Sequence, residues 1–141
     1  MDEIEITDQD DESVVSFLRD RIIEFNIAAT GFDDGRSLTG LIRDEAGEII
    51  AGLDGFTWGG YAKIEWLWVS EDYRRGGLGR RLMEAAEREA AARGCHIVVL
   101  DTHTFQAPGF YERLGYEVIG QVAGTPFGHG QVFFSKALDG S

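Results

Sequence analysis

The stretch Val69-Ser-Glu-Asp-Tyr-Arg-Arg-Gly-Gly-Leu-Gly-Arg80 constrains this chain more than any other. An apolar strand runs into a basic, glycine-rich turn, and the turn opens a helix. Glycines let the backbone curl until successive N–H groups point into one cavity. The helix start adds N–H donors without partners inside the helix, and the positive end of its dipole. Arg74, Arg75, Arg80 and Arg81 add charge to a 141-residue chain whose net charge is −12. Such a turn suits an anion, and a pyrophosphate held there would mean a nucleotide-like cofactor. No Gly-Lys-Ser/Thr follows, so it is not a nucleoside-triphosphate loop. Its Arg74-x-x-Gly77-x-Gly79 spacing also departs from the dinucleotide fingerprint. Tight strand-to-helix packing is the structural alternative for such a glycine cluster.

Periodicity supplies the frame around the turn. Residues 11–28 predict an amphipathic helix, with Val14, Phe17, Leu18, Ile22 and Phe25 at helical spacing, and Ala28–Arg36 a loop. Ser37–Arg43 and Glu48–Thr57 predict strands joined by a turn at Asp44–Gly47. Trp58-Gly-Gly60 leads into Tyr61–Val69, an aromatic and β-branched run typical of a well-buried strand. Residues 77–93 predict a helix with the stripe Leu78, Leu82, Met83, Ala86 and Ala90, capped by Gly94. Cys95–Leu100 predicts a short apolar strand, and Pro108–Leu114 a short helix ending at Gly115. Tyr116–Val122 and Gln131–Ala137 predict the last strands, with Ala123–Gly130 a flexible loop able to line a substrate entrance.

A meander followed by a βαβ unit predicts the α/β (α+β) class. One mixed, mostly antiparallel sheet would be flanked by helices in a single domain across 1–141, with the acidic segment 1–10 mobile. Ligands in such sheets sit beyond the C-terminal ends of parallel strands, where the glycine turn lies.

Composition excludes some function classes. A strongly acidic chain repels nucleic acid and acidic membranes, so neither is expected as a partner. The acidity suits a cationic substrate such as an amine, although solubility explains it as simply. No apolar run approaches the about 20 residues that span a bilayer, and the acidic N-terminus is not a targeting signal. The single Cys95 has no internal partner, which points to a reducing, cytoplasmic location. His96, His103 and His129 lack the clustering of a metal site, so no metal is expected.

Arg74-Arg-Gly-Gly-Leu-Gly79 resembles the Gln/Arg-x-x-Gly-x-Gly/Ala motif of the GNAT superfamily of acyl-CoA-dependent N-acyltransferases. Ile64-Glu-Trp-Leu-Trp-Val69 resembles that family's fourth strand, and Phe110-Tyr-Glu-Arg-Leu-Gly-Tyr116 its Phe-Tyr-x-x-x-Gly-Phe/Tyr segment. The motifs lie about 30 residues apart, with a helix and a strand between them. The resemblance covers roughly residues 10 to 138, the first strands by pattern alone.

The resemblance implies a fold, a cosubstrate and a reaction. Backbone amides of Arg75, Gly76, Gly77, Leu78, Gly79 and Arg80, with Arg74 at the head of the motif, would bind the pyrophosphate of acetyl-CoA. The backbone of Leu67, Trp68 and Val69 would pair with the pantetheine arm, whose amides can hydrogen-bond like an added strand. The acetyl group would pass directly from thioester to primary amine in a ternary complex. That step needs a base, a donor for the developing oxyanion, here the Val69 N–H, and a proton for the leaving thiolate. Tyr111 is the candidate acid, since a phenol keeps its proton at neutral pH; packing between helix and sheet is its structural alternative.

Glu65 is the candidate base, with Asp101 or a water wire as alternatives. Strict alternation puts Glu65 on the face of Leu67 and Val69, in a strand that otherwise reads as buried. Gln106 stands where many relatives carry a cofactor-contacting asparagine. Asn26, His103 and His129 are substrate candidates. Asn26 reads equally as a helix C-terminal residue, and His103 as an ordinary loop histidine. Trp58, Trp66 and Trp68 suit a stacked or cationic ligand, yet Trp66 and Trp68 share a face of one strand and read as core. Cys95 opens an apolar strand and is a poor acyl carrier. The acceptor is a small-molecule or protein amine, and the last strands can pair across a homodimer. A non-catalytic CoA-binding module and a different acyl-CoA donor are the other readings.

Overall fold

The computed structural model describes residues 3–138, in two units divided between Asp33 and Asp34. In the first, the Asp11 carboxylate accepts from the Ser13 and Val14 N–H groups at 3.0 and 3.4 Å and so caps helix α1 (Glu12–Thr30). The helix runs two residues past the expected Ala28. Ala28, Ala29 and Thr30 tolerate helix, and the chain stops only at Gly31, whose left-handed φ of +79° closes the end. Asn26 therefore lies within the helix, its carbonyl accepting from Thr30 Oγ1 at 2.7 Å. The apolar stripe forms as expected, but no residue of α1 is buried. Residues 3–11 before it carry neither helix nor strand, and Met1 and Asp2 of the expected mobile segment lie outside the described residues.

The second unit is one six-stranded sheet with two helices. In chain order it comprises β1 (Arg36–Arg43), β2 (Ile49–Trp58), β3 (Tyr61–Val69), α2 (Leu78–Ala92), β4 (Ile97–His103), α3 (Pro108–Arg113), β5 (Glu117–Ala123) and β6 (Gly130–Ala137). The strand order is β1-β2-β3-β4-β6-β5, parallel at β3–β4 and antiparallel elsewhere. This is the expected mixed, mostly antiparallel sheet. α2 packs on β1, β2 and β3 and buries Leu82, Met83, Ala86 and Ala90 in one core with Ala51, Ala62, Val98 and Phe134.

β4 begins and ends later than the sequence predicts. Cys95 is used to close α2, its N–H bonding the Ala90 carbonyl at 2.9 Å, so the strand starts at Ile97. It continues past Leu100 because β6 pairs with it as far as His103. Asp101 and His103 are thus strand residues with alternating, predictable facing.

A bulge sets the facing of β3. Asp54 pairs with Trp66 and Gly55 with Ile64, which leaves Glu65 as the extra residue. Before it, Ala62 and Ile64 face the core; after it, Leu67 and Val69 pack against the same core. Glu65 is exposed, and Trp66 and Trp68 are 72% and 51% exposed. Contrary to strict alternation, Glu65 does not sit among buried neighbours on the Leu67 face, and the two tryptophans are not core. Gly55 makes the bulge possible, because a Cβ there would collide with the Lys63 carbonyl oxygen. Gly55→Ala should destabilise the fold by at least about 2 kcal/mol through overpacking. A urea denaturation midpoint equal to that of the parent would show that the bulge yields.

Candidate functional site

β3 and β4 pair only where Tyr61–Lys63 meets Ile97–Val99. Beyond that point β3 follows β2 and β4 follows β6, and a gap opens between them. The Ser70 N–H donates to the Ile50 carbonyl at 2.8 Å. Antiparallel ladders alternate, so Leu67 and Val69 turn their backbone polar groups to the other edge, the one that β4 has left. Trp68 turns its backbone to Gly52 on β2 instead. Of the three residues expected to pair with a ligand through backbone, Leu67 and Val69 turn theirs to the gap; Trp68 contributes its side chain to the lining.

The turn after β3 is an amide cradle. It passes through a short 3-10 turn at Glu71–Tyr73, then places Arg75 and Gly77 at φ of +71° and +79°. The Arg74 N–H bonds Glu71, and the Arg81 N–H bonds Gly77. Between them, the N–H groups of Arg75, Gly76, Gly77, Leu78, Gly79 and Arg80 have no partner among the described residues. Such a run at a helix start is an anion nest. A Cβ built on Gly77 meets nothing within 4 Å, so the space over the nest is open. At Gly79 a Cβ would come within 3.3 Å of the Phe110 ring, so this glycine lets α2 approach α3. Arg74 donates from Nε to the Val69 carbonyl at 3.1 Å, tying the turn to the end of β3.

Gap and nest form one cleft of about 900 Å³. Its cations, Arg74, Arg75, Arg80 and Arg113, lie on the turn and helices; its carboxylates, Glu65 and Asp101, lie on the strands. Arg113 is not among the residues the sequence motifs point to, though its place in the last turn of α3 follows from the helical spacing after Pro108. Phe105, on a loop without periodicity, had no such signal.

Tyr111 lies at the inner wall of the cleft, 8% exposed and packed against Phe110, Tyr116 and Phe134 at ring separations of 5.0, 5.9 and 5.8 Å. Its hydroxyl has no hydrogen-bond partner among the described residues, yet it is not sealed from solvent. Burial, helped by the charge of Asp101, pushes its pKa up to about 12. Tyr116 differs: its hydroxyl donates to Glu87 at 2.8 Å, and Glu87 also holds Lys136 at 2.8 Å. Burial and that carboxylate push the Tyr116 pKa up too, but its proton is engaged in a structural link.

The remaining candidates separate clearly. Gln106 lines the cleft, but its Oε1 accepts from Thr102 Oγ1 and the His103 N–H at 3.0 and 2.8 Å, bracing the loop after β4. His103 lines the cleft and stacks on Phe105 at 5.1 Å. His129 meets Phe105 edge-on at 5.1 Å but is not a lining residue. Asn26 belongs to α1, in the other unit. Cys95 is buried, which pushes its thiol pKa up and leaves it a poor nucleophile. Among the described residues no His/Cys/Asp/Glu group could hold a metal, and no helix is long and apolar enough to cross a membrane.

Tyr111 and Tyr116 keep their protons to higher pH in the folded chain than in the unfolded one, where they ionise near about 10. Their contribution to stability is complete below about pH 10 and declines as pH rises toward 12. Tyr111→Phe should make that decline shallower by up to about 2 kcal/mol at its alkaline end. Urea midpoints measured across this range report it, and identical slopes in parent and variant would contradict the burial of the phenol.

The family model for the acetyltransferase (GNAT) family matches residues 4–116. An acetyltransferase of Agrobacterium fabrum (strain C58) is 33% identical over 126 residues, 89% of this chain and 90% of its own. Blasticidin-S acetyltransferase of Streptomyces morookaense is 39% identical over 85 residues, 60% of this chain and 62% of its own. A crystal structure from Agrobacterium tumefaciens superposes with a TM-score of 0.89 at 30% identity, covering 96% of this chain and 98% of that one. The six-stranded sheet with its parted parallel pair, the match along the chain and these likenesses lead to one conclusion: the chain belongs to the GNAT acetyltransferase family and is an acyltransferase.

Proposed function

We propose that this enzyme transfers an acetyl group from acetyl-CoA directly to a primary amine within a ternary complex. The observation that carries the reading is the run of unpartnered amides from Arg75 to Arg80 beside a strand edge that offers the Val69 N–H. The family uses acetyl-CoA, and the cleft fits it: an open anion nest, four flanking arginines and a free strand edge suit a pyrophosphate and a diamide arm.

The cosubstrate supplies a thioester with an electrophilic acyl carbon. The chain's own groups do the rest. The nest amides and arginines hold the phosphates, and the Leu67 and Val69 edge orients the arm. Glu65, directly or through water, takes the proton that frees the amine lone pair. The new N–C bond forms as the C–S bond breaks. The Val69 N–H faces the negative charge that develops on the carbonyl oxygen. Tyr111, protonated and open to the cleft, donates to the leaving sulfur, and the second proton, shed by the acylated nitrogen, passes to the phenolate through water and restores the hydroxyl. Relatives named for blasticidin-S and for L-methionine sulfoximine support a small-molecule acceptor over a protein one.

Tyr111→Phe should lower kcat at least about ten-fold while calorimetry finds CoA affinity unchanged; an unaltered kcat removes Tyr111 from the mechanism. Gly77→Val places a β-branched residue at a left-handed position and should weaken CoA binding by about ten-fold. Parent-like affinity in the same titration would mean that the turn does not cradle the donor.

A further inference from the structure

Trp66 and Trp68 are largely exposed, line the cleft, and have no part in the transfer as described. Two large aromatic side chains left open on one strand, beside the amide of Val69, form a wall that free solvent does not favour. The opposite lip continues it. Asp101 and His103 alternate with buried Val98, Leu100 and Thr102, so they project to the same side of the sheet as the tryptophans. Phe105, exposed and stacked on His103, extends the aromatic surface. Gln131 donates to Asp101 Oδ2 at 2.7 Å, which orients the carboxylate while Oδ1 has no hydrogen-bond partner among the described residues.

The cleft is therefore cationic where the helices and turn line it, and aromatic and anionic where β3 and β4 line it. The geometry points to an acceptor that carries, besides its reacting amine, a second group that stays cationic, seated against Trp66 and Trp68 and balanced by Asp101. A cation gains from an aromatic face within about 6 Å and from a nearby carboxylate. A monoamine must give up its charge before it attacks, and it has no second cationic group to keep against this wall. An acceptor with a second ammonium or guanidinium keeps that interaction from binding through transfer. Interaction maintained throughout lowers KM and leaves kcat unchanged. This assignment rests on the amine-acetyltransferase reading above.

The test uses a matched pair with the same reacting amine: 5-aminopentyl-trimethylammonium and its neutral isostere 6,6-dimethylheptylamine. CoA thiol release with acetyl-CoA should give the cationic member a KM several-fold to about thirty-fold lower, at similar kcat. The advantage should shrink toward unity in Trp66→Leu and in Asp101→Asn, with calorimetric CoA affinity reporting that each variant is folded. Equal KM values in the parent, or an advantage that survives both substitutions, overturns the assignment. Should neither amine be acetylated although CoA binds, the transfer reading fails separately. Tryptophan fluorescence then decides the site: saturable quenching by the quaternary amine, absent with the isostere and lost in Asp101→Asn, upholds it, and no such quenching overturns it.

Discussion

β3 and β4 share three register positions and then part, and the chemistry of this fold depends on that parting. A continuous parallel ladder would engage the backbone groups of Leu67 and Val69 in the sheet. With β4 following β6 instead, those groups face a cleft while each strand keeps a partner on its other side. The sheet remains covered by hydrogen bonds where it needs them, and a strand edge that would otherwise invite aggregation becomes an enclosed recognition surface.

The glycine turn completes that edge rather than acting alone. Its six open amides lie directly after Val69, and Arg74 bonds back to the Val69 carbonyl. A displacement of the turn is therefore also a displacement of the strand end. On the far side, Tyr111 is held by aromatic packing against Tyr116 and Phe134, and Tyr116 is fixed through Glu87 and Lys136. A phenol whose ring is immobilised and whose hydroxyl stays open has little conformational freedom left to lose on engaging a ligand.

Most of the fold was legible in the residues. Local signals carried it: Asp11 and Gly31 at helix ends, the stripe of α2, Gly94 and Gly115 after their helices, and alternating strands. The glycine turn and the Phe110–Tyr116 segment located the cleft because their spacing is fixed by sequence. What failed was facing along β3. Period-two alternation holds only while the ladder is regular, and the extra residue at Glu65 reverses it. The one clue was Gly55, and its role depends on the close approach of Lys63, a contact between strands that no local pattern reveals. The β4 limits failed for a related reason: pairing with β6, not local composition, extends that strand to His103.

The bulge has a consequence for how such an enzyme diversifies. On β3 the main chain of Leu67 and Val69 faces the gap, their side chains serve the core, and Trp66 and Trp68 serve neither. Exchanging the two exposed residues alters the wall of the cleft while hydrophobic packing and the open strand edge stay as they were. Selection can thus explore new acceptors at two positions without risking the scaffold, so the division of labour within one short strand separates innovation from stability.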